Sequence, residues 1–214
     1  MHIEFLVEDL STKALIESLL PKLLPTEDYS YRIVDYRGIG HLPPGLRTTQ
    51  DPRKRVLLHQ LPRLLQGYGK TPGIDAVVVV VDSDTRPCAN FLAELQQVLR
   101  SCNPAPRTLF RLAIEESEAW LLGDAAALLT AYPNAKRKPL ETYQQDAICG
   151  TWETLAECVH PGGHDALSTQ GYAAIGRAKS EWATNIGPHL DPNRNNSPSF
   201  RKFVEGLRRL IQAP

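Results

Sequence analysis

Ala76–Val81 reads AVVVVV, a β-branched run with no polar alternation. Branching at Cβ favours extended backbone, and a strand apolar on both faces must be covered on both. Such a strand belongs in the centre of a parallel sheet with helices on either side. The surrounding segments agree. His2–Glu8 (HIEFLVE) reads as a strand. Ser11 stands where a helix N-cap is wanted, and Ser11–Leu24 has apolar residues at 14, 15, 16, 19, 20, 23 and 24, with Pro25 just beyond. Tyr29–Tyr36 alternates like a second strand, and Gly38-Ile39-Gly40 with Pro43-Pro44-Gly45 makes a loop. Val56–Leu65 is helical in period, although Pro62 should kink or split it. After the valine strand, Phe91–Leu99 reads as a helix, Thr108–Ile114 as a strand, and Ser117–Tyr132 as one helix ended by Pro133. Four strands alternating with helices predict an α/β fold, a four-stranded parallel sheet flanked by helices with right-handed crossovers.

Residues 1–135 form this α/β core. Residues 136–214 are more polar, with helical stretches near 151–159, 171–183 and 199–211. None has an apolar face wide enough for its own core, so they read as a C-terminal helical cap on the sheet, one domain overall. A chain of 214 residues hides roughly 70% of its unfolded surface, and 42% hydrophobic residues argues against wholesale disorder. The start carries acidic residues and lacks a signal peptide's basic and apolar regions. No apolar run approaches the ~20 residues of a membrane helix. The protein is read as cytoplasmic, with no membrane partner.

Lys plus Arg equals Asp plus Glu, 24 against 24. Zero net charge argues against non-specific coating of nucleic acid, which rests on phosphate neutralisation. Arg53-Lys54-Arg55, Lys136-Arg137-Lys138 and Arg208-Arg209 are the candidates for a local basic patch. Cys149 and Cys158 lie near His160 and His164, but the spacing matches no compact zinc pattern. Buried thiols and loop histidines explain them.

Parallel α/β sheets place their sites at the carboxyl ends of strands. Acidic residues recur there: Glu8 after the first strand, Asp82 and Asp84 after the valine strand, and Glu115, Glu116 and Glu118 after the fourth. In extended backbone Asp82 and Asp84 point the same way, and in a first helical turn Glu115 and Glu118 share a face. Converging carboxylates repel unless a cation answers them, and a hard divalent ion such as Mg²⁺ or Mn²⁺ takes oxygen ligands. The ordinary alternatives are surface acids and complements to a helix dipole. Trp120 is core packing or a base-stacking platform. Arg86 pairs a phosphate or neutralises the aspartates. Lys179, with Arg177, reaches phosphate or lies on a solvated face. Ser197 and Ser199 suit N-cap chemistry. Gly67-Tyr68-Gly69-Lys70-Thr71 fails the P-loop spacing.

At these residues the chain resembles the Toprim domain of topoisomerases, primases and nucleases of the overcoming-lysogenization-defect type. It is more closely similar to a bacterial Toprim-like family, domain of unknown function 4276. The matching stretches are FLVEDLSTKALIESLLPKLL, RVLLHQLPRLLQGYGK, VVVVVDSDTRPC, RLAIEESEAWLLGD and SPSFRKFVEGLRRL. The resemblance implies a Toprim-like fold and an Mg²⁺- or Mn²⁺-dependent endonuclease, a phosphodiester hydrolase acting on DNA or RNA in anti-phage defence. Glu8 would match the general acid or base, Asp82 and Asp84 the metal pair, and Glu116 and Glu118 the acidic pair before the tryptophan. All five would be metal ligands and catalytic residues, with Arg86 and Lys179 contacting phosphate. Where the group usually has glycine this chain has Asp9, and a frequent later acid is Thr12; two-metal chemistry is weakened by both. The resemblance also implies an ABC-type or AAA ATPase partner, with a homo-oligomer as a further possibility. A non-catalytic binding or regulatory subunit beside that ATPase is the alternative. A phosphatase-like enzyme using the same Asp-x-Asp is a third class.

Overall fold

A computed structural model describes residues 1–24, 28–43, 45 and 55–212. Pro25, Pro44, Arg53 and Lys54, named above, lie outside the described residues. The sheet has four parallel strands in the order β2-β1-β3-β4: β1 His2–Val7, β2 Ser30–Asp35, β3 Ala76–Asp82 and β4 Thr108–Ala113. The valine strand is β3, second from the edge and buried along its whole length.

Alternation divides the strands between two cores. Ile3, Phe5, Val7, Val78 and Val80 face helix α1 (Leu10–Leu23) through Leu15, Ile16 and Leu19. Leu6, Val77, Val79 and Val81 face α2 (Leu57–Tyr68) and α3 (Cys88–Arg100) through Leu57, Leu61, Phe91 and Leu95. The helix after β1 therefore lies on one face and the helix after β3 on the other. That reversal opens a crevice beyond the carboxyl ends of β1 and β3, where sheets of this kind place their sites.

Several local expectations are corrected. Asp9, not Ser11, caps α1: its carboxylate accepts from the Thr12 amide at 2.8 Å and from the Ser11 hydroxyl at 3.0 Å. Pro62 does not split α2, which runs on to Tyr68 while burying Leu57, Leu58, Leu61 and Leu65. The stretch 117–132 is two helices, α4 (Glu118–Leu122) and α5 (Ala125–Ala131). The break has a tertiary cause. A Cβ on Gly123 would collide with Asn195 Oδ1. Asp124 caps α5 through the Ala127 amide (3.1 Å) and holds Arg194 Nε (2.9 Å) and the Asp191 amide (3.0 Å).

The chain continues through α6 (Arg137–Thr142), α7 (Thr151–Val159), α8 (Gly163–Ser168), α9 (Tyr172–Ile186), a 3-10 turn (Gly187–His189) and α10 (Pro198–Gln212). Leu155, Trp182, Phe200, Phe203 and Leu207 from these helices share the core of the α1 face. Trp120 is fully buried there, stacked on Phe203 at 5.0 Å with its Nε1 donating to Ser199 Oγ at 2.9 Å. It is core packing and offers no face to a base. Ser197 caps α10, its hydroxyl accepting from the Phe200 amide at 3.2 Å. No helix among the described residues is long and apolar enough to cross a membrane.

Candidate functional site

Glu8 follows β1 directly and Asp82 is the last residue of β3. Because β1 and β3 are neighbours, the Asp82 amide donates to Glu8 Oε2 at 3.3 Å. Asp82 is 5% exposed, and its Oδ1 is buried with no hydrogen-bond partner. Beyond β4 the chain turns at Glu115, passes Glu116 and enters α4, whose first residue is Glu118. The Thr12 hydroxyl, donating to Ser117 Oγ at 3.3 Å, ties α1 to the start of α4.

Lys179 enters from α9. Its Nζ lies 3.2 Å from Glu116 Oε1 and 3.2 Å from Glu118 Oε2, with the lysine side chain 12% exposed and that of Glu118 1%. The lysine is mostly buried and held by two carboxylates, an internal cation.

Burial dominates the titration of this cluster. It pushes Glu8 up to about 7, helped by the negative charges of Asp9 and Asp84. It pushes Glu118 up to about 7 although Lys179 pulls the other way. Burial, then the charge of Glu8, raises Asp82 well above the usual carboxylate range, and burial raises Glu116. For Lys179 burial favours the neutral amine, but Glu118, Glu116, Asp82 and Asp9 outweigh it and raise its pKa. One ammonium faces several buried carboxyl groups, so the lysine stays charged and the acids share protons near neutrality.

Asp84 and Glu115 do not join the buried group. Backbone extension stops at Asp82. Asp84 takes a left-handed conformation (φ 48°), and its amide donates to the Glu115 carbonyl at 2.9 Å. Its side chain is 54% exposed and pairs with Arg86 Nη2 at 3.2 Å. Arg86 also lies over the Phe91 ring at 3.9 Å, so it neutralises Asp84. Glu115, itself left-handed (φ 59°), precedes α4 and shares no helix face with Glu118. Its carboxylate accepts from the amides of Cys149 (3.2 Å), Gly150 (3.0 Å) and Thr151 (2.9 Å) and from the Thr151 hydroxyl, anchoring the start of α7.

Among the described residues, no three His, Cys, Asp or Glu side chains stand together in a metal-holding arrangement. The donor chemistry nevertheless suits a hard cation: carboxylate oxygens, with Asp82 Oδ1 and Glu116 Oε2 buried and without hydrogen-bond partners, and no thiol or imidazole in the group. Two residues of this neighbourhood carry more weight than their sequence context suggests. Asp9 contributes charge to Glu8, Asp82 and Glu118 while capping α1. Lys179 finds a partner 63 residues away, which no local pattern announces.

A second network ties the EAW and SPSF stretches. Asp146 accepts from Ser197 Oγ at 2.7 Å and from the Ser199 amide at 2.6 Å, and Asn195 Nδ2 donates to the Trp120 carbonyl at 2.7 Å. These residues hold α10 against α4 rather than serving the carboxylate crevice.

Comparison with curated proteins and with solved structures returns no match. A family model does match residues 7–208, nearly the whole chain, and this protein belongs to the family described as Domain of unknown function (DUF4276).

Proposed function

We propose that this protein is a Toprim-like, divalent-metal-dependent phosphodiester hydrolase of the cytoplasm that acts on nucleic acid. The observation that carries the reading is the unpartnered, buried Asp82 Oδ1 beside Glu8. An anionic oxygen without a donor is costly to bury and calls for a cation. Glu8 and Asp82 would hold Mg²⁺ or Mn²⁺, with Asp84 on the solvent side. When bound, the ion would supply charge for a phosphate oxygen and lower the pKa of water.

The chain's own residues have separate tasks. Glu8 is the base candidate; its value of about 7 belongs to the metal-free chain and falls when an ion binds. Lys179 holds Glu116 and Glu118 and supplies positive charge close to Asp82. Its presence on the Glu116/Glu118 side favours one metal over two.

The test is incubation of plasmid, single-stranded DNA and tRNA with Mg²⁺ or Mn²⁺, comparing wild type with Asp82→Asn. Loss of cleavage by about a hundredfold or more is expected on removing a metal ligand. Cleavage unchanged by the substitution would assign the activity elsewhere. A second reading, a non-catalytic subunit working with an ATPase partner, draws support from the same lysine and from the outward turn of Asp84. Mn²⁺ binding without cleavage by the chain alone, and cleavage once the ATPase is added, would favour it.

A further inference from the structure

A cavity of about 740 Å³ opens between the first turn of α1, the carboxyl end of β2 and one face of α9. Asp9 belongs both to this cavity and to the charge environment of Glu8 and Asp82, so the two spaces adjoin. Three arginines line it: Arg37, Arg55 and Arg177. We infer that this cavity is the groove in which a single-stranded polynucleotide lies as it enters the carboxylate crevice, with Arg37 and Arg177 on its phosphates. The inference deepens the proposed hydrolase and rests on it for its chemistry.

Both acids of the cavity already have protein partners. Asp35 is answered by Lys13 (3.2 Å) and Arg55 (3.6 Å), and Asp9 is engaged in capping α1. Arg37 and Arg177 are exposed, and neither has an ion-pair partner among the described residues. Arginine without a carboxylate partner is suited to phosphate oxygens. The α9 wall presents Ala173, Gly176, Arg177 and Ser180 to the cavity. A Cβ on Gly176 would meet nothing within 4 Å, so a backbone can approach closely.

Leu10 lines the cavity, and Tyr172 is the chain neighbour of Ala173, which also lines it. Tyr172, the first residue of α9, is 95% exposed, and Leu10, the first of α1, is 61% exposed. An aromatic platform beside a basic groove is the usual device for holding single strands without sequence preference. Zero net charge over the whole chain leaves little for a broad duplex face, whereas a strand needs only a few local contacts.

The experiment measures fluorescence anisotropy of a labelled single-stranded oligonucleotide with the full chain in EDTA, so that no cleavage intervenes. Wild type should bind, and the double variant Arg37→Gln/Arg177→Gln should bind about tenfold more weakly, with a salt slope shallower by about one to two. Tyr172→Ala should weaken binding by about tenfold. Lys70→Gln, an exposed change at the amino end of the sheet outside the cavity, should change nothing. No binding by wild type, unchanged affinity in the double variant, or an equally tight duplex with the same arginine dependence would overturn the inference. Arginine-dependent binding without Mn²⁺-dependent cleavage would strike only the proposed hydrolase. Cleavage with affinity indifferent to the arginines would strike only the groove.

Discussion

Lys179 brings a single positive charge into a space shared by Asp82, Glu116 and Glu118. Truncating it leaves buried acids without a counter-charge, and breaking a buried pair is expensive even where the intact pair adds little. Lys179→Met should cost about 3 kcal/mol of unfolding free energy by urea titration at about pH 8, and less at about pH 5, where the acids can protonate. Equal stability of variant and wild type at both values would remove the lysine from the cluster. The carboxyl shifts give the pH dependence its sign. Glu8 and Glu118 titrate at about 7 in the folded chain against 4.5 unfolded, and Asp82 and Glu116 shift the same way. The folded state therefore binds more protons between about pH 4.5 and 7, and stability falls as pH rises through that window. Lys179, raised, contributes fully below 10.5 and is silent here. Asp124 works oppositely. Its burial would raise its pKa, but Arg194 and two backbone amides outweigh that and lower it, so its contribution is lost only in acid. In EDTA the melting temperature should drop by about 5 °C or more from about pH 5 to about pH 8. Glu8→Gln should flatten the drop, and Mn²⁺ should raise the melting point more at the higher pH.

At the level of elements, the division between α4 and α5 and the start of α7 are both imposed from a distance. Periodicity alone continues a helix across Gly123, but Asn195 occupies the space a side chain there would need. Asn195 is itself held, donating to the Trp120 carbonyl and accepting from the Ser197 amide at 2.9 Å. Gly123→Ala should cost about 1–3 kcal/mol in a urea titration. Gly206→Ala should cost less, because the group in its way is the flexible end of Arg111. Glu115 anchors α7 across the chain, so its replacement by Ala should speed hydrogen exchange at Cys149–Thr151 by about tenfold or more. Mn²⁺ binding should not change with it, because Glu115 stands outside the buried group. Faster exchange accompanied by lost metal binding would put Glu115 back among the ligands.

For the molecule as a whole, the decisive feature is that one core spans both halves of the chain. Phe5, Val78, Trp182 and Phe203 belong to the same buried cluster. Residues 1–135 alone would expose that face of the sheet, and should show no cooperative thermal transition by circular dichroism. A sharp transition from that fragment would make the C-terminal helices an appendage. The same arrangement explains the position of the crevice. Helices α1 and α3 leave β1 and β3 toward opposite faces, and α9, packed beside α1, closes one side with Lys179.

The order of strands and helices, the burial of β3 and the presence of acids at three strand ends are all written locally. Strand alternation, a β-branched run and helical period act over a few residues, so the chain states them directly. Which acids turn inward is not local. Asp82 stays on the ladder beside Ala113 and is buried, while Asp84, two residues on, leaves extended backbone and finds Arg86. Glu115 goes to the free amides of α7, and Glu116 and Glu118 go to a lysine from α9. Past the end of a strand, a side chain follows whichever distant amide or charge competes best for it. Only the packing of the C-terminal helices puts those competitors in place.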